Sequence, residues 1–474
     1  MQLHAGYSQL FESVFMKRFV LVIFLLCVFL LSTVFSQTPP AKPYQTEAKN
    51  ITSAGLRSCT AYKILEELSV GIGPRLSGSP NAAKAVEWGR KKMEELGFDN
   101  VHLEPVMVPH WVRGSVEEAT IIPSSGNEIP VAMCALGGSI ATPENGITAE
   151  VVEVKSFEEL HALGEKAKGK IVFFNRPMDP TKINTFEAYG GAVDQRFSGA
   201  AEAAKVGGVA AVVRSMSTRL DNVPHTGMMG YVDSIPKVPT AALSTLASNM
   251  LDSLLAVDPH CKIRIKLSCE TLPDVESANV VGELKGTEKP EEIIVVGGHM
   301  DSWDKGRGAH DDGAGIAHSI EALRLLKELG LKPKRTIRAV LFINEENGDR
   351  GGIAYAKKDR PGEHHIAAIE TDAGGFTPRG IGVSADSTSF ENIARWSYLF
   401  EPIGCKIMKG GGGTDISELG KKKVITMGLE VDSQRYFDYH HSDSDTIDKV
   451  NERELELGAI SLAIMTYVLA QEGI

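Results

Sequence analysis

Cysteine is scarce, at six among 474 residues, and no two form a CxxC pair. Neither a cysteine zinc site nor a dense disulfide framework is therefore written in the chain. Basic stripes are also missing. The formal charge of −11 is spread along the sequence, which leaves no surface for phosphate backbones and argues against nucleic acid as a partner. There is no low-complexity run, and 43% hydrophobic with 23% charged residues is the composition of a folded soluble protein.

What is present begins with a targeting layout. Lys17 and Arg18 precede a near-continuous apolar run from Phe19 to Leu31, followed by small residues around Val34 and Ser36, which reads as a signal peptide cut near Ser36. Met16 directly precedes the basic pair, so residues 1–15 read as an over-extended gene start. Secretion or a periplasmic location follows, with no stable membrane association after cleavage; the alternative is an anchor left uncleaved. Leu26 stands where a lipid-attachment signal at Cys27 would want a small residue. Beyond the leader, Cys59, Cys134, Cys261, Cys269 and Cys405 are odd in number. Cys261 with Cys269 is the nearest pair for one bridge, and buried free thiols are the other reading.

The chain is too long for one ordinary core and calls for two domains, or for one domain carrying an insertion. Gln37 to Tyr44 reads as a linker, helical periodicity begins near Thr60, and Ala82 to Leu96 has the pattern of an amphipathic helix ending at Gly97. Between about Gly114 and Pro273 short Val/Ile segments separated by Gly, Pro and Asn give the texture of a β-rich insertion. After Ser277 a βα rhythm takes over, with strands expected at Ile293 to Val296, Ile337 to Ile343, Ile366 to Ile369 and Val424 to Leu429. This predicts an α/β fold with a mixed, largely parallel sheet covered by helices, whose functional groups gather beyond the carboxyl ends of the strands.

Acids and histidines fall at those ends. GGHMDSWDKGRGAHDDGAG places His299 after the first strand, with Asp301 close behind and Asp311 and Asp312 opening the next helix. A helix N-terminus favours carboxylates, and an Asp cap is the plain alternative, but a cap needs one acid and leaves His299 unexplained. NEENGDRGG ends the next strand with Glu345 and Glu346 side by side. Burying adjacent carboxylates raises their pKa unless a cation compensates. Asp372 in ETDAGG and His441 in YHHSDSDT end two further strands. Oxygen and imidazole donors without thiolates suit catalytic zinc, and their number exceeds the needs of one ion, so two Zn²⁺ are expected.

These segments, with EENG, ETDAGGF, GGGGTDI and YHHS in order, resemble peptidase family M28, the co-catalytic zinc aminopeptidases and glutamate carboxypeptidases. GPRLSGSPNAAKAVEW is similar to the family's opening segment, and KGKIVFF with GAAEAAKVGGVAAVV to a protease-associated insert. The resemblance implies a discontinuous zinc-exopeptidase domain from residues 38–115 plus 275–474, an inserted domain at 116–274, short peptide substrates and a homodimer. It implies that Asp311 bridges two metals, His299 and Asp372 completing one and Glu346 and His441 the other. Glu345 matches the general base, and Asp301 an acid that hydrogen-bonds a liganding imidazole. Of the adjacent pair His440 and His441, the one before Ser442 matches the ligand, which leaves His440 near the substrate carbonyl. Gly413, Thr414 and Asp415 in the glycine-rich GGGGTD are placed beside the substrate, an ordinary flexible turn being the alternative. The Asp311–Asp312 peptide is expected to be cis. Receptor-like relatives have lost their metals, whereas every ligand is present here. DSWD and the doubled histidine favour a carboxypeptidase-type dipeptidase over a broad aminopeptidase.

Overall fold

The structure, a computed structural model, describes residues 42–474; the leader and residues 37–41 of the linker lie outside them. Two eight-stranded sheets organise the chain. The main sheet runs Asp99–Val112, Glu270–Leu284, Arg335–Phe342, Lys289–His299, His364–Glu370, Ile425–Val431, Pro378–Ser384, Lys406–Lys409. Its middle, from Arg335–Phe342 to Ile425–Val431, is parallel, while Glu270–Leu284 and Pro378–Ser384 join it antiparallel. The sheet is mixed with a parallel centre, as the βα rhythm predicts.

Central strands are mostly apolar in their middle because both faces are covered. All of Arg335–Phe342 is buried. Ile293, Val295, Val340 and Phe342 pack with Tyr355 and Leu419 from helices Arg350–Lys357 and Ser417–Lys421. Strand alternation sends Ile294 and Val296 to the opposite face, where they too are buried. Helices Ala314–Glu328 and Glu452–Glu472 pack on the sheet and on each other. By length and composition Glu452–Glu472 could cross a membrane, but 83% of its most apolar window is buried inside the protein. It is a core helix, started by Asn451, whose side chain accepts from the Arg453 and Glu454 amides.

Helix Pro80–Glu95 follows its sequence signals: Ser79 accepts from the Ala82 amide at 3.1 Å, Pro80 opens the first turn, and Gly97 sits at φ 69° just beyond the end. A Cβ on its Gly89 would lie 2.8 Å from Met300 Cε, so glycine lets the helix settle directly on the residue after His299. One helix begins earlier than expected, at Gln45–Ser58, and breaks at Cys59, whose φ is 44°.

The second sheet runs Ile129–Val131, Glu117–Ile122, Lys262–Leu267, Ile147–Val154, Ile171–Phe174, Ala210–Arg214, Thr240–Leu243, Met133–Ala135. Helices Phe157–Leu163, Thr185–Gly190, Asp194–Lys205 and Thr245–Leu255 lie among these strands. This segment is therefore α/β rather than simply β-rich; its helices are short, 6 to 12 residues, and the one at Asp194–Lys205 is built on alanine, so their periodicity is weak. Trp111 from the main sheet and Trp303 from the loop after His299 belong to its core. Cys59, Cys134, Cys261, Cys269 and Cys405 are all free, so the bridge considered between Cys261 and Cys269 is not formed.

Candidate metal centre

The parallel strands deliver their carboxyl ends to one edge of the sheet. His299 closes its strand, Glu345 and Glu346 follow Phe342 after a left-handed turn at Asn344, φ 71°, and Asp372 comes just after Glu370. His441 departs from the sequence expectation. It follows not a strand but two short helical turns, Ser433–Arg435 and Tyr436–Tyr439.

Asp311 stands between two imidazoles, with Oδ1 3.3 Å from His299 Nε2 and Oδ2 3.2 Å from His441 Nε2. Asp372 Oδ1 lies 3.6 Å from His299 Nε2, and Glu346 Oε2 3.0 Å from His441 Nε2. Glu345 turns the other way from its neighbour, its Oε2 3.9 Å from His299 Nε2. His440 also faces Asp311, at 3.7 Å, with its ring stacked on that of His441 at 3.4 Å between centroids. The five residues expected to be ligands are thus brought together, with Glu345 and His440 at their side.

Burial makes this concentration of charge expensive. It pushes Glu345 well above the usual carboxylate range and Glu346 up to about 7. Burial opposes protonation of the imidazoles, yet Asp311 and Asp372 hold His299 well above its ordinary value, and Glu346 with Asp311 lifts His441 to about 9. His299 Nε2, Asp311 Oδ2 and Asp372 Oδ1 are buried without a hydrogen-bond partner. Converging imidazole nitrogens and carboxylate oxygens, several lacking any partner, fit divalent cations.

The Asp311–Asp312 peptide is cis, as the resemblance implies. The two acids divide their work. Asp312 Oδ1 accepts from Gly315 N at 2.9 Å, at the start of the helix, and Oδ2 from His299 N at 3.0 Å. This is the capping acid, which leaves Asp311 free to face the histidines.

Asp301 requires a correction. Its carboxylate does not bond the His299 ring, Oδ1 being 3.9 Å from Nδ1; its main-chain oxygen does, at 3.0 Å. A carbonyl only accepts, so the proton sits on Nδ1 and Nε2 is left to the centre. The Asp301 carboxylate instead holds the turn carrying Glu345, with Oδ1 accepting from Asn344 N at 2.7 Å and Glu345 N at 3.2 Å.

Several supports escape a reading of the sequence. Arg75, wholly buried, donates from Nε to Met300 O and from Nη1 and Nη2 to Arg307 O and Gly308 O. Ser77 Oγ donates to Asp301 Oδ2 at 2.9 Å. Asp445 receives His310 N and Asp311 N. Residues of the 116–274 segment grip the histidine pair: His225 Nδ1 donates to His440 O at 2.7 Å and Thr226 N to His441 O at 2.9 Å. GPRLSGS was recognisable as a motif, but nothing in one sequence says which carbonyls its arginine will find.

Beside the centre, a cavity of about 410 Å³ is lined by Asp311, Glu345, His440, Thr414 and aromatic residues. It shares Asp372 and Thr414 with a neighbouring cavity of about 1020 Å³ that also holds Gly413. A Cβ on Gly413 would lie 2.1 Å from the Glu370 carboxyl, so only glycine lets the loop pass. Asp415 does not reach either cavity. It is 1% exposed, and burial and the neighbouring Glu370 raise its carboxyl well above the ordinary range. Glu370 beside it is likewise pushed up to about 8 by burial and Asp372, so two neighbouring buried carboxyls each oppose ionisation of the other.

Comparison with known proteins follows the same site. The model of peptidase family M28 matches residues 279–465. Carboxypeptidase Q of Bos taurus is 37% identical over 423 residues, covering 89% of this chain and 87% of the relative. Carboxypeptidase Q of Homo sapiens is 38% identical over the same shares. Among solved structures, a peptidase M28 precursor from Shewanella amazonensis superposes with a TM-score of 0.87 at 36% identity, covering 91% of this chain and 97% of the other. A zinc aminopeptidase from Bacillus subtilis shares the fold, with a TM-score of 0.63 at 20% identity over 87% and 95% of the two chains.

Proposed function

Because this chain belongs to peptidase family M28, we propose that it is a secreted di-zinc exopeptidase that hydrolyses dipeptides or other short peptides. The observation that carries the reading is Asp311 placed between His299 and His441 with buried acceptor and donor atoms left unpartnered. His299 and Asp372 would hold one zinc, Glu346 and His441 the other, with Asp311 shared. Bound there, the ions would polarise the scissile carbonyl and make water acidic enough to attack it near neutral pH.

The chain's own residues supply the proton transfers. Glu345, beside the centre but turned away from Glu346, accepts the proton of the attacking water and delivers it to the departing amine. Asp301 keeps that carboxylate in place through the Asn344 and Glu345 amides. His440, held well below its ordinary pKa by burial and by His441, is a neutral donor facing the cavity, suited to the oxygen of the tetrahedral intermediate. Gly413 and Thr414 line the wall along which a short peptide would lie. Residues 116–274 read as an inserted unit: every strand of the second sheet falls within them, and the main sheet is assembled from Asp99–Val112 before them and from strands that start at Glu270, at their end, and beyond.

A panel of dipeptides and N-blocked peptides, assayed with zinc and with chelator, tests the activity. Turnover of free dipeptides that chelation abolishes and zinc restores is expected, with about two zinc ions per chain. Preference for long peptides with a free N-terminus would point instead to a broad aminopeptidase. The homodimer implied by the resemblance is checked by light scattering, and cleavage near Ser36 by sequencing the mature N-terminus.

A further inference from the structure

A buried arginine links the 116–274 segment to one half of the metal centre. Arg113 stands where the chain leaves the main sheet, directly after strand Asp99–Val112, and is 7% exposed. Its Nε and Nη2 clasp the two oxygens of Asp304, at 2.8 and 2.5 Å. Nη1 donates to Glu117 Oε1 at 3.0 Å and to Ala135 O at 2.5 Å, and Nη2 also donates to Thr226 Oγ1 at 3.2 Å. None of these partners is an expected ligand. A two-pronged grip on a carboxylate fixes orientation as well as distance, and lysine cannot reproduce it.

Asp304 and Thr226 each lead to one ligand. Asp304 follows Trp303, whose amide donates to Glu346 Oε1 at 3.1 Å and leaves Oε2 facing His441 Nε2. The Trp303 ring lies edge-on to that of His441, 5.7 Å between centroids, and is wedged into the second sheet's core, where a Cβ on Gly137 would come within 1.8 Å of it. Thr226 donates its amide to His441 O. Glu346 and His441 are the pair assigned to one zinc. The other pair is anchored elsewhere: His299 by its place in the sheet, by the Asp312 carboxylate and by Asp301 O, and Asp372 by following strand His364–Glu370. We propose that Arg113 is a positioning residue for the Glu346–His441 zinc alone, so that the 116–274 segment governs the occupancy of one metal and not of the other. This assignment rests on the two-zinc reading above.

Zinc affinity, read by chelator competition in a double-mutant cycle, tests this. In a His299→Ala background, where Glu346 and His441 keep their ion, Arg113→Gln should weaken zinc binding about 10–100-fold, the usual effect of removing a support of a ligand. In a His441→Ala background, where His299 and Asp372 keep theirs, the same change should leave affinity as it was. Asp304→Asn, at a side chain 27% exposed, should act in the same direction by less, and it serves where Arg113→Gln fails to fold. Equal weakening in both backgrounds would mean that Arg113 holds the fold as a whole, and weakening in neither would mean that it holds nothing the metals feel; both results overturn the proposal, while two zinc ions in wild type would leave the peptidase reading intact. Selective weakening in a protein that hydrolyses no peptide would uphold the proposal and sink the peptidase reading. A wild type that binds no zinc would overturn both.

Discussion

Asp445 holds Asp311 by its backbone: Oδ2 accepts from Asp311 N at 3.1 Å, while Oδ1 accepts from His310 N at 2.7 Å. A residue that touches no expected ligand side chain thereby fixes where the shared carboxylate points. Replacing Asp445 with Ala should lower zinc affinity about 10–100-fold, the usual effect of removing a support of a ligand. Competition with a chromogenic chelator measures this, and unchanged affinity would mean that the loop holds its shape without Asp445.

On the proposed roles, Glu345→Gln should keep its zinc and reduce turnover by about 10²–10⁴-fold, because the change would remove the base and spare the proposed ligands. Zinc content and rate belong on the same preparation. Substantial activity at normal zinc content would assign the proton transfer elsewhere.

Arg75 serves three carbonyls of the loop between His299 and Asp311 from a wholly buried position. Arg75→Met leaves those oxygens without donors, and a loss of about 3 kcal/mol or more is expected from that number of buried acceptors. Urea denaturation of the zinc-free protein would read it without interference from metal binding.

A pH effect should arise away from the centre. Burial and the neighbouring Glu321 push Glu456 up to about 8, above its ordinary 4.5. The folded chain therefore binds that proton more tightly than the unfolded chain. The stability it contributes is complete below about pH 4.5 and drains away as pH rises to about 8. Glu456→Gln, which keeps an acceptor for the Ala61 amide, should flatten this slope and exceed wild type in stability at alkaline pH. Denaturation curves at several pH values decide it; parallel slopes for the two proteins would show that Glu456 titrates normally.

The sequence announced what recurs locally. His299, Glu345, Glu346 and Asp372 could be found because each follows an apolar run that has to be a strand, and such ends share one edge of a parallel sheet. Arg75, Asp445 and Glu370 could not, since each gains its role from a partner far along the chain. Pro378–Ser384 and Lys406–Lys409 were missed for another reason: the first is broken by Gly380 and Gly382, and the second, with lysine at both ends, reads as polar. Asp301 does lie against the His299 ring, but through its main-chain oxygen, because spacing reveals which residues are near and not whether main chain or side chain makes the contact.

The Arg75 clamp also has a consequence for the order of events during synthesis. Arg75 leaves the ribosome more than two hundred residues ahead of Met300, Arg307 and Gly308, and the His440–His441 pair and Asp445 come later still. A nascent chain that has exposed only Arg75 leaves its guanidinium in water, with the carbonyls that will accept from it not yet made. Closing so long a loop costs conformational entropy before any contact returns it, so the centre matures in a late, cooperative step. Any metal held by the proposed ligands would find them in one place only after that closure.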